Sequence, residues 1–281
     1  MLEEFIGDEL SISVSNLPKP KQFRQDIWAL RQPAGAIVLF SKWCLPRLKQ
    51  RTLDILRWKN VRSCIDYVDF DLRESVKFRP DIHLAASLTA MKALKKLTAG
   101  QEDPESRVSL LHHNLDERMI VPAEYPSDRL RPVYFGALEN TIATDAIRER
   151  VTFLKADQAN EVAPLFRQLA KFNLHYCIRR PAISTEVIAK PFTKGFVASH
   201  IGVPVLISKN VDDALDLLGN DYPFVVEDTA EREILAGLDH VADSFGGPVW
   251  SDAKDRVASL QTLCSREAIA GQFMDIVSSL R

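Results

Sequence analysis

The stretch Ile188-Ala-Lys190-Pro-Phe-Thr193-Lys194-Gly-Phe-Val-Ala198-Ser-His-Ile-Gly202-Val-Pro204-Val-Leu holds the groups best placed for chemistry. Two lysines four residues apart and a threonine stand where a loop opens a helix. Gly202 ends that helix, and the apolar residues after it start a strand. Amides at a helix start, the positive end of the helix dipole, and Lys190 with Lys194 together suit a phosphate or diphosphate. The same spacing is also that of two solvated charges at a helix start. A second group is Val108-Ser-Leu-Leu111-His112-His113-Asn114, where two histidines follow a short apolar run. At a strand end either imidazole could hydrogen-bond a hydroxyl or accept a proton near neutral pH. The alternative is one buried structural histidine and one exposed in a loop. Asp66, Asp69 and Asp71 offer carboxylates of the kind hard cations prefer, but their spacing is that of a turn or a helix cap as much as of a metal site. His83, His175 and His200 read as core or surface residues, not ligands, and Glu227 and Asp228 carry a charge that a nearby diphosphate would repel.

These groups are positioned by alternating elements. Residues 36–40 are wholly apolar and enter through Pro33 and Gly35, as a strand buried on both faces of a parallel sheet does. Helical spacing of Leu45, Leu48, Leu53 and Leu56 predicts a helix from about Pro46. Strands follow at 63–68 and 82–86, a helix at Leu88, Met91, Leu94 and Leu97, and a strand at 108–111. Residues 114–131, with Pro122 and Pro126 and no period, read as a linker. The alternation restarts with a strand at 132–136 that ends on Gly136. Strands then fall at 151–154, 174–178, 203–207 and 222–226, separated by helices at 145–150, 162–172, 193–201 and 211–218. A helix at 231–244 and a helical last 30 residues close the chain. The fold class is therefore α/β, with two doubly wound parallel-sheet units facing each other. Ligands of such sheets bind at the carboxyl ends of the strands.

The 281 residues allow two domains, and 46% hydrophobic with 26% charged residues exclude disordered and low-complexity classes. Thirty-six Lys and Arg against 38 Asp and Glu leave no general positive field, so non-specific nucleic-acid binding is not expected and any anion site is local. The four cysteines show no metal or disulfide spacing, and no apolar segment resembles a leader or approaches the roughly 20 residues of a membrane span. A cytoplasmic protein is expected.

The order of an Arg-containing strand end, a K-P-x-T-K helix start, a small-residue helix and G-x-P-V-L resembles the nucleotide-binding half of GT-B glycosyltransferases of the bacterial surface-polysaccharide type. Tyr134-Phe135-Gly136 and Leu174-His175-Tyr176-Cys177-Ile178-Arg179 agree with it in order. The resemblance covers the second half of the chain, and over the first half it is one of architecture. It implies two Rossmann-like domains, an acceptor-side domain at 1–125 and a nucleotide-sugar-binding domain at 131–260, with a helix at 261–281 packing back on the first. It implies Gly136 for close backbone approach, and Arg179, Lys190, Thr193 and Lys194 around the diphosphate or ribose of a nucleotide diphospho-sugar. His112 or His113 would contact the donor sugar or act in catalysis. Many members carry a ribose-binding glutamate where this sequence has Thr193-Lys194, and Glu186 upstream could substitute. The implied activity is sugar transfer to a saccharide, lipid-linked or other hydroxyl acceptor, with no metal required. A non-catalytic sugar-nucleotide-binding or regulatory protein and a two-lobed epimerase are the alternatives. Peripheral membrane contact would use Lys19, Lys21, Arg24, Trp28 and Arg31 if that segment is helical.

Overall fold

The computed structural model describes residues 10–21, 23–100, 107–113, 128–155, 162–181 and 187–280, with the backbone alone at 162 and 163. Glu186 and most of the expected linker lie outside them. The chain divides into two compact units. The first comprises Met1–His113, Ser184–Pro191 and Arg266–Arg281, the second Asn114–Ile183 and Phe192–Ser265.

The first unit carries a four-stranded parallel sheet in the order β1-β2-β3-β4, formed by Ile37–Phe40, Arg62–Asp66, Ile82–Ala85 and Arg107–Leu110. Each strand pairs in parallel with the next, Cys64 opposite Ile82 and Ala85 opposite Leu110. Helix α1 (Arg24–Leu30) precedes the sheet, α2 (Gln50–Trp58) joins β1 to β2 and α3 (Leu88–Thr98) joins β3 to β4. Leu53 and Leu56 of α2 and Leu94 of α3 supply buried core residues. Ser87 caps α3 through its Oγ, which accepts from the Ala90 amide at 3.0 Å. The helix expected from Pro46 starts only at Gln50. Pro46 instead sits in a 3-10 turn, Lys42–Arg47, because extended backbone at Leu48 breaks the run. The segment before β1, for which the sequence pattern predicts no regular element, contains α1.

The second unit is a five-stranded parallel sheet ordered β6-β5-β7-β8-β9. Its strands are Pro132–Gly136 (β5), Thr152–Lys155 (β6), Leu174–Cys177 (β7), Val205–Ser208 (β8) and Val225–Val226 (β9). All four residues of β7 and of β8 are buried, as expected of central parallel strands. The helices are α4 (Asp145–Arg148), α5 (Val162–Leu169), α6 (Thr193–Ile201), α7 (Ala214–Leu218), α8 (Glu231–Ser244), α9 (Pro248–Ser259) and α10 (Gln261–Cys264). Helix α6 has little polar surface, burying Gly195, Phe196, Val197, Ala198, Ser199 and Ile201. The strand expected over 222–226 shrinks to its last two residues. Tyr222 meets β8 through its side chain instead, its hydroxyl donating to the Val205 carbonyl at 2.8 Å and accepting from the Val205 amide at 3.1 Å. The next residue, Pro223, has no N–H for a ladder.

The last helix, α11 (Arg266–Ser278), belongs to the first unit, where Ile276 and the following Leu280 pack with Cys64, Ile82 and Leu84. The second unit extends to Ser265, and Ser184–Pro191 leaves it for the first, so neither unit is continuous in sequence. The Leu72 amide donates to the Val187 carbonyl at 2.9 Å, and Ala189 lies in the first unit's core.

Candidate functional site

In the second unit β5 lies between β6 and β7, with Val133 opposite His175. This register brings the carboxyl end of β5, at Gly136, beside that of β7, at Cys177. Gly136 has φ of +125°, a conformation few side chains tolerate. A Cβ there would lie 3.4 Å from Lys194 Nζ and 3.5 Å from the Tyr134 hydroxyl. Lys194, the second residue of α6, thus lays its ammonium against the last residue of β5, although 58 positions separate the two in sequence. The ammonium also stands 4.8 Å from the centre of the Tyr134 ring and 5.4 Å from that of Phe135. Tyr134 is buried and donates to the Ala137 carbonyl at 2.6 Å, which pins the turn leaving β5.

The start of α6 is shaped by Phe192 and Gly195. Phe192 occupies the N-cap position, where its side chain has no oxygen to accept the first-turn amides. Its ring, 3% exposed, lies across the turn so closely that a Cβ on Gly195 would be 2.0–2.5 Å from three ring atoms. Only glycine fits there. Thr193 is exposed and Lys194 half-buried, so both side chains reach solvent at this helix start.

The groups beneath the lysine respond to it. Burial drives His175 down to about 3; the Lys194 backbone partly offsets this and the Lys194 ammonium adds to it, so the ring is neutral at physiological pH. Burial likewise pushes the Cys177 thiol up to about 12, with the Lys194 charge pulling the other way. Neither can act as a charged group, which leaves Lys194 as the cation that these residues sense.

Arg179 is placed differently. Its guanidinium donates to Asp212 at 2.7 Å, its amide donates to Ser208 Oγ at 3.3 Å, and its carbonyl accepts from Asn210 at 3.0 Å. It is therefore knitted to the loop after β8. The neighbouring Arg180, which sequence reasoning passed over, ties the turn after β5 to the end of β7. Its amide donates to the Asn140 carbonyl at 3.1 Å and its Nε to that of Thr141 at 3.3 Å, while the Thr141 hydroxyl donates to Ile178 at 2.7 Å. Its signal was the second arginine at the strand end. Lys190 lies in the segment that belongs to the first unit, whereas Thr193 and Lys194 belong to the second. Glu227 pairs with Lys209, and Asp228 accepts from the Ala230 amide at 2.7 Å.

In the first unit His112 is 6% exposed, and its amide donates to Gln272 Oε1 at 3.0 Å. His113 is half-buried and lowers the pKa of Asp66, at the end of β2, which burial raises. Asp66 closes β2 and His113 follows β4, so both stand at the carboxyl edge of this sheet. Asp69 pairs with Lys42 at 2.8 Å. Asp71 accepts from Arg73, whose guanidinium holds that carboxyl down at about 2. Among the described residues no group of three or more His, Cys, Asp or Glu is placed to hold a metal ion.

No known family model matches this sequence, and no curated protein does. Solved structures do. The pneumococcal O-GlcNAc transferase GtfA, in complex with UDP and GlcNAc, superposes with a TM-score of 0.57 at 6% identity over 92% of this chain. The GtfA/B complex gives 0.55 at 9% over 92%, and the lipopolysaccharide outer core galactosyltransferase WaaB, in its apo form, gives 0.54 at 12% over 91%. All are GT-B glycosyltransferases. The chain has the GT-B fold. It spans 60% of the GtfA chain, 59% of the chain matched in the GtfA/B complex and 78% of WaaB. In GT-B terms the Lys194 and Gly136 site lies in the second of the two α/β units, at the carboxyl edge of its sheet, where open α/β sheets bind their ligands. Among the described residues no helix is long and apolar enough to cross a membrane.

Proposed function

We propose that the protein is a glycosyltransferase that moves a sugar from a nucleotide diphospho-sugar to a hydroxyl acceptor, a saccharide or a lipid-linked one, in polysaccharide biosynthesis. The observation that carries this reading is the approach of the Lys194 ammonium to the Gly136 backbone at the start of α6. A glycine at the strand end lets a diphosphate come close to the main chain, and the helix amides and ammonium meet its charge. In the reaction the bond between the anomeric carbon and the distal phosphate oxygen breaks. The electron pair stays on the diphosphate while the acceptor oxygen bonds the carbon and gives up its proton. Negative charge gathers on the diphosphate as the sugar leaves, so Lys194 and the α6 amides stabilise the transition state more than the ground state. Thr193, exposed beside Lys194, offers a hydroxyl to a phosphate or ribose oxygen.

Arg179 and Lys190 enter this reading on different terms. Arg179 reaches a diphosphate only by exchanging its bond to Asp212, and Lys190 acts from the segment that belongs to the first unit. His113 or His112 is the group of the first unit proposed to contact the donor sugar or accept the acceptor's proton; of the two, His113 is half-buried and His112 buried. In this scheme lysine and helix amides do the work for which a metal is otherwise used, so turnover persists in excess chelator. All four cysteines are free, which suits a reducing cytoplasm.

The test is release of nucleoside diphosphate from a panel of nucleotide diphospho-sugars, beginning with UDP-sugars because the GtfA structure holds UDP. Lys194→Ala is expected to lower turnover about a hundredfold or more. Binding of a sugar nucleotide with neither transfer nor hydrolysis under any acceptor would replace the transferase reading with the non-catalytic one. Isomerisation of the donor without an acceptor would replace it with the epimerase.

A further inference from the structure

Two cations stand at neighbouring strand ends of the second unit's sheet, and they are held in different ways. Lys194 lies against Gly136 at the end of β5, with aromatic rings beside its ammonium. Arg179 lies just beyond the end of β7, the strand between β5 and β8, and a carboxylate already engages its guanidinium. Its Nη1 donates to Asp212 Oδ2 at 2.7 Å. Carboxylate and phosphate offer a guanidinium acceptors of similar geometry, so Asp212 holds the place that a diphosphate oxygen would take.

The backbone beneath this pair is fastened independently of it. The Arg179 amide donates to Ser208 Oγ at 3.3 Å, its carbonyl accepts from Asn210 Nδ2 at 3.0 Å, and the Ser208 hydroxyl in turn donates to Asn210 Oδ1. In the loop after β8 the Val211 amide donates to the Ser208 carbonyl at 3.0 Å. The Leu217 amide of α7 donates to the carbonyl of buried Asp213, also at 3.0 Å. Breaking the bond between Arg179 and Asp212 therefore moves two side chains and leaves the strands where they are. Those side chains are 23% and 25% exposed, sheltered enough for the pair to hold and open enough for a ligand to reach.

We propose that Asp212 is an internal competitor for the diphosphate. It holds Arg179 in the ligand-free protein, yields it to the bound nucleotide, and reclaims it as the nucleoside diphosphate departs. The inference rests on the reading of this edge as the donor site, and adds the residue that sets how tightly the product is kept. A ligand that must displace a carboxylate binds more weakly by the fraction of molecules in which the guanidinium is available. A partly exposed ion pair favours its closed arrangement roughly fivefold, so Asp212 lowers diphosphate affinity by about that factor. The same competition speeds product release, a step that limits turnover in many enzymes.

The experiment is isothermal titration of UDP, GDP, ADP and dTDP into the parent, Asp212→Asn, Arg179→Ala and the double variant. Asparagine keeps the shape of the side chain and removes its charge. Asp212→Asn is expected to bind the diphosphate that the parent prefers roughly fivefold tighter, and stopped-flow displacement should place the gain in slower departure. In the Arg179→Ala background the same change should alter affinity by less than about twofold, which separates competition for Arg179 from a general loss of negative charge. Asp212→Glu restores the carboxylate and should return affinity to within about twofold of the parent. All variants should keep the parent's circular dichroism, because the main-chain bonds of Arg179 involve none of the altered side chains. Equal or weaker affinity of Asp212→Asn overturns the proposal while leaving the donor site standing, and so does an equal gain with and without Arg179. Loss of the fold in Asp212→Asn overturns it as well, by making the pair structural. Absence of binding of any diphosphate to both the parent and Asp212→Asn overturns the donor site and the proposal with it.

Discussion

Gly195→Ala reverses a familiar sign, and the reversal can be computed from the start of α6. In an open helix interior, replacing glycine by alanine stabilises by about 1 kcal/mol, because glycine gives up more backbone freedom on folding. At Gly195 the added methyl would enter the Phe192 ring, at 2.0, 2.3 and 2.5 Å from three of its carbons. Phe192 is 3% exposed and belongs to the main core of its unit, so the ring cannot swing into solvent without opening that core. Overpacking typically costs about 1–3 kcal/mol, and three contacts between 2.0 and 2.5 Å put this case at the upper end, about 2–3 kcal/mol. With the propensity gain subtracted, the variant is expected to be about 1–2 kcal/mol less stable than the parent in urea denaturation followed by circular dichroism. Phe192→Ala removes the obstacle. In that background Gly195→Ala should regain its ordinary gain of about 1 kcal/mol, giving a coupling of about 2–3 kcal/mol between the two positions. A neutral or stabilising Gly195→Ala in the parent background would refute the packing argument. Equal effects in both backgrounds would refute the role of Phe192.

Gly136→Ala places a methyl 3.4 Å from Lys194 Nζ on a backbone with φ of +125°, and should weaken nucleoside diphosphate binding by about tenfold or more in calorimetric titration. His175 keeps its folded pKa near 3, well below its unfolded value of about 6.5, so the unfolded chain takes up the proton first. Stability is therefore full above about pH 6.5 and falls as the pH is lowered toward 3; His175→Phe should flatten that slope in denaturation midpoints measured from pH 7 to 4, and an unchanged slope would show that the ring is not the group responsible. Of the four thiols, Cys64 and Cys177 are buried and pushed up to about 12, and Cys264 is buried and raised, so the native protein should titrate a single reactive thiol, Cys44, with a disulfide reagent. Two or more fast thiols without denaturant would contradict this.

The strands were legible because parallel, doubly covered strands must be short and apolar. Residues 36–40, 132–136 and 174–178 stand out in sequence and differ from the observed bounds by at most one residue at an end. Helix α8 matches over 231–244 because its apolar period is regular. What failed had local causes that pattern does not carry. Tyr222 contacts β8 with its hydroxyl instead of its backbone, and Leu48 breaks the helix that the leucine spacing suggested. Helix α1 hid because its buried side is polar, the reverse of what periodicity looks for.

At the site, the helix start at Thr193 and the glycine closing β5 were each visible in sequence, but their meeting was not. The approach of Lys194 to Gly136 depends on β5 lying next to β7, a consequence of strand order. The partner of Arg179 was equally hidden, since Asp212 is 33 residues away and reaches it from the loop after β8. Arg180 showed nothing in sequence to separate it from Arg179, yet it is the one that holds the turn after β5.

The central claim is that Lys194, laid against Gly136 at the start of α6, holds the diphosphate of a nucleotide donor. Isothermal titration of the protein and of Lys194→Ala with UDP, GDP, ADP and dTDP tests it most directly. The account predicts that at least one diphosphate binds the parent and that Lys194→Ala weakens it by about tenfold or more, as loss of a charge-assisted contact worth roughly 1.5–3 kcal/mol requires. Equal affinity of parent and variant for the same diphosphate would contradict it, and so would the absence of binding to any of the four.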